Sequence, residues 1–210
     1  TVGAQYVGAQ PLKNGLSAGQ MLSNDKHGLK AVLLLNNEPE FDSAAGKLAK
    51  DALLQAQMVV SMNPFKANMD VCDVMLPTAP FTETSGSFVN AEGRLQSFHA
   101  VVKPLGETRP AWKVMRVLAN MLSVPGFDFE SSADVLKQLQ GQHADIQAAV
   151  TSSLSNLTDA KIDLSSSNVA PVTASIYQLD GIVRRAPALQ ATADANIQTT
   201  QMAKEQEESA

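Results

Sequence analysis

The sequence predicts an α/β fold: a three-layer, mostly parallel, Rossmann-like sheet with helical additions and an irregular C-terminal tail. Three observations carry this reading. Lys30-Ala-Val-Leu-Leu-Leu-Asn36 is a continuous apolar run, too short for a helix and suited to a strand buried on both faces. Behind it Ala45, Leu48, Ala49, Ala52, Leu53 and Ala56 recur at helical spacing, ending near Gln57. Met58-Val-Val-Ser-Met62 supplies a second strand, so strand, helix and strand make a right-handed βαβ unit of about 30 residues.

The remaining elements follow in order. Residues 1–28 are punctuated by five glycines and read as loop, with a short helix over residues 18–23. Asp42 or Ser43 offers the N-cap of the first long helix. Asp73-Val-Met-Leu-Pro77 reads as a third strand, stopped by Pro77 and Pro80. Residues 81–94 are irregular, with a short extended piece over residues 87–90 between Gly86 and Gly93. Residues 97–103 alternate, which predicts a strand with Phe98, Ala100 and Val102 on one face. Pro110 suits a first helical turn, and Val114, Met115, Leu118, Met121 and Leu122 trace a face read as core, ending before Pro125. Ser131 or Ser132 caps a helix reaching Leu139, and Ile146, Ala149, Val150 and Leu154 mark another.

Composition shifts near residue 150. Residues 151–175 hold ten Ser or Thr among 25, the pattern of a poorly ordered linker. Residues 176–185 regain apolar content and are expected to dock as an extended segment, while the polar tail beyond Pro187 is expected to fray. The chain therefore divides into an α/β domain (1–125), a helical extension (126–150), a linker (151–175) and a docking segment with tail (176–210).

Charge and composition exclude several classes. The chain has 210 residues, a formal net charge of −5 and a pI near 5.1, without the basic stripe of a nucleic-acid binder. Hydrophobic residues make up 44%, enough for a sizeable core. Charged residues make up 18%, which suggests that part of the surface is covered by other protein. No apolar run reaches the ~18 residues that a bilayer span needs. Cys72 is the only cysteine, so this chain alone can build neither an internal disulfide nor a cysteine cage for a cluster. The opening Thr-Val-Gly carries no signal-peptide pattern, and the chain is expected to be a portion of a longer polypeptide.

Motifs for common chemistries are missing: no G-x-G, no G-K-[ST], no H-E-x-x-H and no C-x-x-C. Cys72 lies between Asp70 and Asp73, whose charges disfavour a thiolate, and reads as inert and partly buried. His27, His99 and His143 lack metal-ligand spacing and read as structural or surface residues. Glu83 and Glu92 could form an acid–base pair, but tying loops together through Arg94 or backbone N–H groups is the simpler role. Thr82, Thr84, Ser85 and Ser87 have no evident base partner and suit turns. Arg184 and Arg185 read as a solvated pair that could meet an acidic partner.

One long segment is specific: Cys72-Asp-Val-Met-Leu-Pro-Thr-Ala-Pro-Phe-Thr-Glu-Thr-Ser-Gly-Ser-Phe-Val-Asn-Ala-Glu-Gly-Arg-Leu-Gln96. It resembles a signature of the molybdopterin oxidoreductase family. Residues 103–112, Lys-Pro-Leu-Gly-Glu-Thr-Arg-Pro-Ala-Trp, narrow the resemblance to one branch, the large iron–sulfur subunits of bacterial NADH–quinone oxidoreductase (respiratory complex I). Residues 33–40 and 182–190 agree.

The resemblance implies the last portion of a large α/β body. The 4Fe-4S and 2Fe-2S clusters of such a subunit would be held by upstream residues absent here. It implies no cofactor, metal or catalytic residue on this stretch. Its implied role is a scaffold in the peripheral arm, on the cytoplasmic side of the bacterial inner membrane. Its partners would be neighbouring complex I subunits and its own upstream half. The alternatives are a fragment of a catalytic, formate dehydrogenase-like molybdenum enzyme, or a non-catalytic interaction module. Within the motif, Asp73, Pro77, Glu83, Gly86, Asn90, Glu92, Gly93 and Arg94 are expected to shape loops. Pro77 ends a strand, Glu83, Asn90 and Glu92 satisfy turn amides, Gly86 and Gly93 supply backbone freedom, and Arg94 neutralises a buried carboxylate.

Overall fold

The computed structural model describes residues 3–4, 7–9, 11, 14–22, 29–142 and 175–196. The elements positioning the site are α1 (Ala18–Leu22), β1 (Ala31–Leu35), α2 (Pro39–Asp42), α3 (Lys47–Leu54), β2 (Met58–Asn63) and β3 (Val74–Pro77). A 3₁₀ turn (Phe81–Glu83), β4 (Gly86–Val89), β5 (Leu95–Phe98), α4 (Ala111–Met121) and α5 (Ser132–Gln142) follow. Two short helices, α6 (Gly181–Arg184) and α7 (Pro187–Gln190), come next, and residues 193–196 are again helical.

The apolar runs become parallel strands in the order β1-β2-β3. Val32 lies opposite Val59 and Leu34 opposite Ser61, which puts these side chains on one face of the sheet. Leu22, Leu34, Ala49, Leu53 and Val59 close the core there, beneath α1 and α3. In α3, Ala49, Ala52 and Leu53 are the buried set, a stripe at i, i+3 and i+4. Cys72 packs against this core.

On the other face Leu33, Leu35, Met58 and Val74 are 37–45% exposed, while Met62, which shares that face by register, is fully buried.

Three local expectations are corrected. The first long helix is shorter than its apolar spacing and starts after Gly46 (φ 52°), because Pro39–Asp42 forms its own turn of helix. The strand after the hairpin ends at Phe98, not Lys103. Val101 and Val102 N–H groups donate to the Thr82 carbonyl (2.9 and 3.3 Å) and draw the chain away from β4. On α4, Met121 and Leu122 are exposed rather than core.

Ser131 caps α5 as its position predicts, its hydroxyl accepting from Asp134 N–H (3.1 Å) while Asp134 accepts from Ser131 N–H (2.8 Å). His27, His143, the helix expected near residues 146–154 and the linker up to residue 174 lie outside the described residues.

Candidate functional site at the carboxyl ends of the strands

Parallel α/β sheets gather ligands beyond the carboxyl ends of their strands. Here those ends carry amides and hydroxyls. Ser61, Asn63 and Thr78 are buried. The Asn68 side chain donates to the Asn37 carbonyl (2.9 Å) and to Ser61 (3.2 Å), and Thr78 donates to Asn36 Oδ1 (3.1 Å). Above them opens a cleft of about 430 Å³. The chain's single tryptophan, Trp112, lines it together with Phe65, Phe81, Phe88 and Phe98. Thr84, Ser85 and Ser87 add hydroxyls along the same wall.

The β1–α2 turn supplies the charge. Pro39 at the first helical position directs Glu38 into the cleft, and Glu38 N–H donates to the Asp42 carboxylate (2.7 Å). The Arg185 guanidinium grips Glu38 with both nitrogens, at 2.8 and 2.9 Å. Arg184 reaches Glu38 Oε1 (3.1 Å) and Asp42 Oδ1 (3.1 Å), with its own side chain only 6% exposed. Each guanidinium also lies over an aromatic ring, Arg184 on Phe41 (4.8 Å) and Arg185 on Phe65 (4.4 Å). Burial pushes the Glu38 carboxyl up. Hydrogen bonds and charge from Arg185 and Arg184 outweigh that and hold it below the usual carboxylate range.

The arginines arrive from the far end of the chain. Asp180 caps α6 by accepting from Ile182 and Val183 N–H (2.8 and 3.1 Å), which aims Arg184 and Arg185 at the β1–α2 turn. The segment expected to dock as an extended piece therefore docks as two short helices. The arginine pair read as solvated is instead paired with carboxylates of its own chain, with Arg184 Nε left without a partner.

The motif residues sit around the cleft rather than converging in it. Asp73 accepts from Val59 N–H (2.6 Å) and pins the start of β2 to β3, while Pro77 closes β3 opposite Asn63. Glu83 accepts from Leu105 N–H (2.9 Å), tethering the loop before α4. Gly86 lines the cleft and lies opposite Phe98, whose ring leaves a Cβ on Gly86 only 3.0 Å of room.

Asn90 accepts from the N–H groups of Glu92 (3.0 Å) and Arg94 (2.8 Å), and Gly93 holds φ 78° in the same hairpin turn. Glu92 and Arg94 meet at 3.9 Å with side chains 74% and 70% exposed, so Arg94 neutralises no buried carboxylate. The loop tether leaves Glu83 with a backbone partner rather than with Glu92. His99 follows β5 directly, and among the described residues no cluster of His, Cys, Asp and Glu could hold a metal. Sequence reasoning missed Glu38 and Asp42 as site residues. Their only signal was membership of, or adjacency to, one of the two flanking segments, 33–40 and 182–190, that meet here.

A βαβ sheet with a half-open cleft at its strand ends defines an α/β architecture. The chain belongs to the molybdopterin oxidoreductase family, whose model matches residues 2–121. Among curated proteins it is similar to the probable oxidoreductase YjgC of Bacillus subtilis strain 168, 38% identical over 69 residues, 33% of this chain. It is also similar to a protein provisionally named as a formate dehydrogenase in Staphylococcus aureus strain bovine RF122, 46% identical over 57 residues, 27% of this chain. These matched stretches span only 7% and 6% of the two relatives.

A molybdopterin dinucleotide brings a pyrophosphate, which needs free cations or unpaired N–H groups. Among the described residues the cleft sets the carboxylates of Glu38, Asp42 and Asp180 against one lining cation, Arg184, which two of them engage and whose Nε has no partner. Negative charge dominates this lining, and no step is derived through that cofactor.

Among the described residues no helix is long and apolar enough to cross a membrane.

Proposed function

We propose that this chain is the C-terminal structural part of the large iron–sulfur subunit of a bacterial complex I, a scaffold in the peripheral arm rather than a catalytic centre. The parent enzyme would pass electrons from NADH through FMN and iron–sulfur clusters to quinone, coupled to proton translocation. The observation that carries the reading is the junction of Glu38 with Arg184 and Arg185. It joins the two segments, 33–40 and 182–190, that resemble the complex I subunit outside the central motif. It also spends the cleft's charge on holding the chain together.

The sheet face on which Leu33, Leu35, Met58 and Val74 are partly exposed is where the upstream half of the same subunit would pack, with other peripheral-arm subunits beyond it. The parent would sit peripherally on the cytoplasmic side of the bacterial inner membrane, its clusters held by upstream cysteines.

Names of relatives favour a second reading, a portion of a formate dehydrogenase-like enzyme. Purification of the native protein from its source through an affinity tag separates the two. Co-purifying FMN and NADH–quinone reductase activity supports the scaffold. Molybdenum by mass spectrometry, oxidised-pterin fluorescence and formate oxidation support the enzyme and overturn the scaffold.

A further inference from the structure

Residues 177–190 are organised by their own bonds. Gln190 donates to the Tyr177 carbonyl (3.0 Å) and the Val183 carbonyl (2.9 Å), and its side-chain oxygen accepts from Gln178 (3.0 Å). Tyr177 donates its hydroxyl to Asp194 (2.8 Å). The backbone bonds that residues 177–192 donate end on carbonyls or side chains within residues 175–192.

What ties this unit to the sheet is side-chain chemistry: Arg184 and Arg185 on Glu38 and Asp42, with Phe41 and Phe65 beneath the guanidinium planes. A segment whose backbone N–H groups bond within it and whose attachment is charged can leave as a unit without breaking the sheet ladder. We propose that residues 177–190 are a detachable strap, latched by charge over the strand-end cleft, and that the latch is a pair of guanidinium-binding pockets which a free guanidinium compound can refill.

Each pocket has the composition that such a ligand requires. At Arg185 both oxygens of Glu38 meet a planar fork, at Arg184 one oxygen each of Glu38 and Asp42, and in both an aromatic face takes the weakly hydrated cation. Gly181, Ile182 and Arg184 line the same cleft as Trp112, so strap release uncovers the aromatic surface and changes the tryptophan's surroundings. The latch operates in either parent enzyme.

The test uses the full 210-residue chain. In R184A/R185A, hydrogen exchange over residues 36–42 and 178–190 should rise at least tenfold, with β2 and α4 still protected and Trp112 emission changed. Ethylguanidinium at millimolar concentration should then restore protection of residues 36–42, while sodium chloride at equal ionic strength does not. Should the double variant lose protection throughout β1–β3, the strap belongs to the core and the proposal falls. Unchanged exchange everywhere, or equal rescue by both salts, overturns it too. The milder Arg185→Ala, half of the latch, should show the same selective pattern at smaller amplitude, and protection lost evenly across the chain would sink the idea there as well.

Discussion

Arg185 holds Glu38 through two parallel N–H···O bonds of 2.8 and 2.9 Å across 147 positions of sequence. Because Arg184 shares the same carboxylate and both Glu38 and Arg184 are buried, neither partner has water to fall back on. Glu38→Ala leaves Arg185 without a carboxylate and Arg184 with Asp42 alone, and removing one partner of a buried pair costs at most about 3–5 kcal/mol. The loss should appear as strap opening before global unfolding. Hydrogen exchange resolved by segment distinguishes the two, and uniform loss across the sheet contradicts this account.

The same pair sets an acid limit. Glu38 titrates lower in the folded chain than its unfolded value of about 4.3, so its stabilisation is full above that pH and is lost as the pH falls through the folded value. Arg184, Arg185, Asp42 and Asp180 are the other charged groups at the junction. Trp112 emission should stay flat from neutrality to about pH 5 and change only in stronger acid. A transition centred near neutrality would show that another group controls the docking.

Gly86 lies across the ladder from Phe98, which in turn stacks on Phe88 with ring centres 5.1 Å apart. A methyl at residue 86 meets the Phe98 ring at 3.0 Å, so Gly86→Ala should destabilise the hairpin by about 1–3 kcal/mol. Combining it with Phe98→Leu should recover part of that loss. Urea denaturation of the two single variants and the double variant measures the coupling, and strictly additive effects would rule out the clash.

Leu53 is 2% exposed beneath the sheet, whereas Leu48 on the same helix is 56% exposed. Leu53→Ala should therefore cost about 2–5 kcal/mol in denaturation midpoint experiments. Leu48→Ala should stay within about 0.5 kcal/mol in the isolated chain.

Arg94 serves as a control. Its pairing with Glu92 is long and solvent-exposed, so Arg94→Ala should shift stability by no more than about 0.5 kcal/mol. A large loss of stability would require a buried partner for this guanidinium.

What depends on near neighbours was legible in the amino-acid order. Apolar runs specified β1 and β2, Pro77 the end of β3, Ser131 or Ser132 the cap of α5, and Asn90 an acceptor for turn amides, whereas the β4–β5 hairpin reads in sequence as irregular chain. Each is set by backbone geometry and hydrogen bonds within a few residues, which spacing encodes directly. Folding alone decided which carboxylate meets Arg184 and Arg185, that Arg94 faces solvent, and that Leu33 and Leu35 stay partly exposed. These outcomes turn on burial and on charges brought together from distant positions. A side chain's type and spacing specify what it can bind, but only the packed chain decides whether water or a partner is there to meet it.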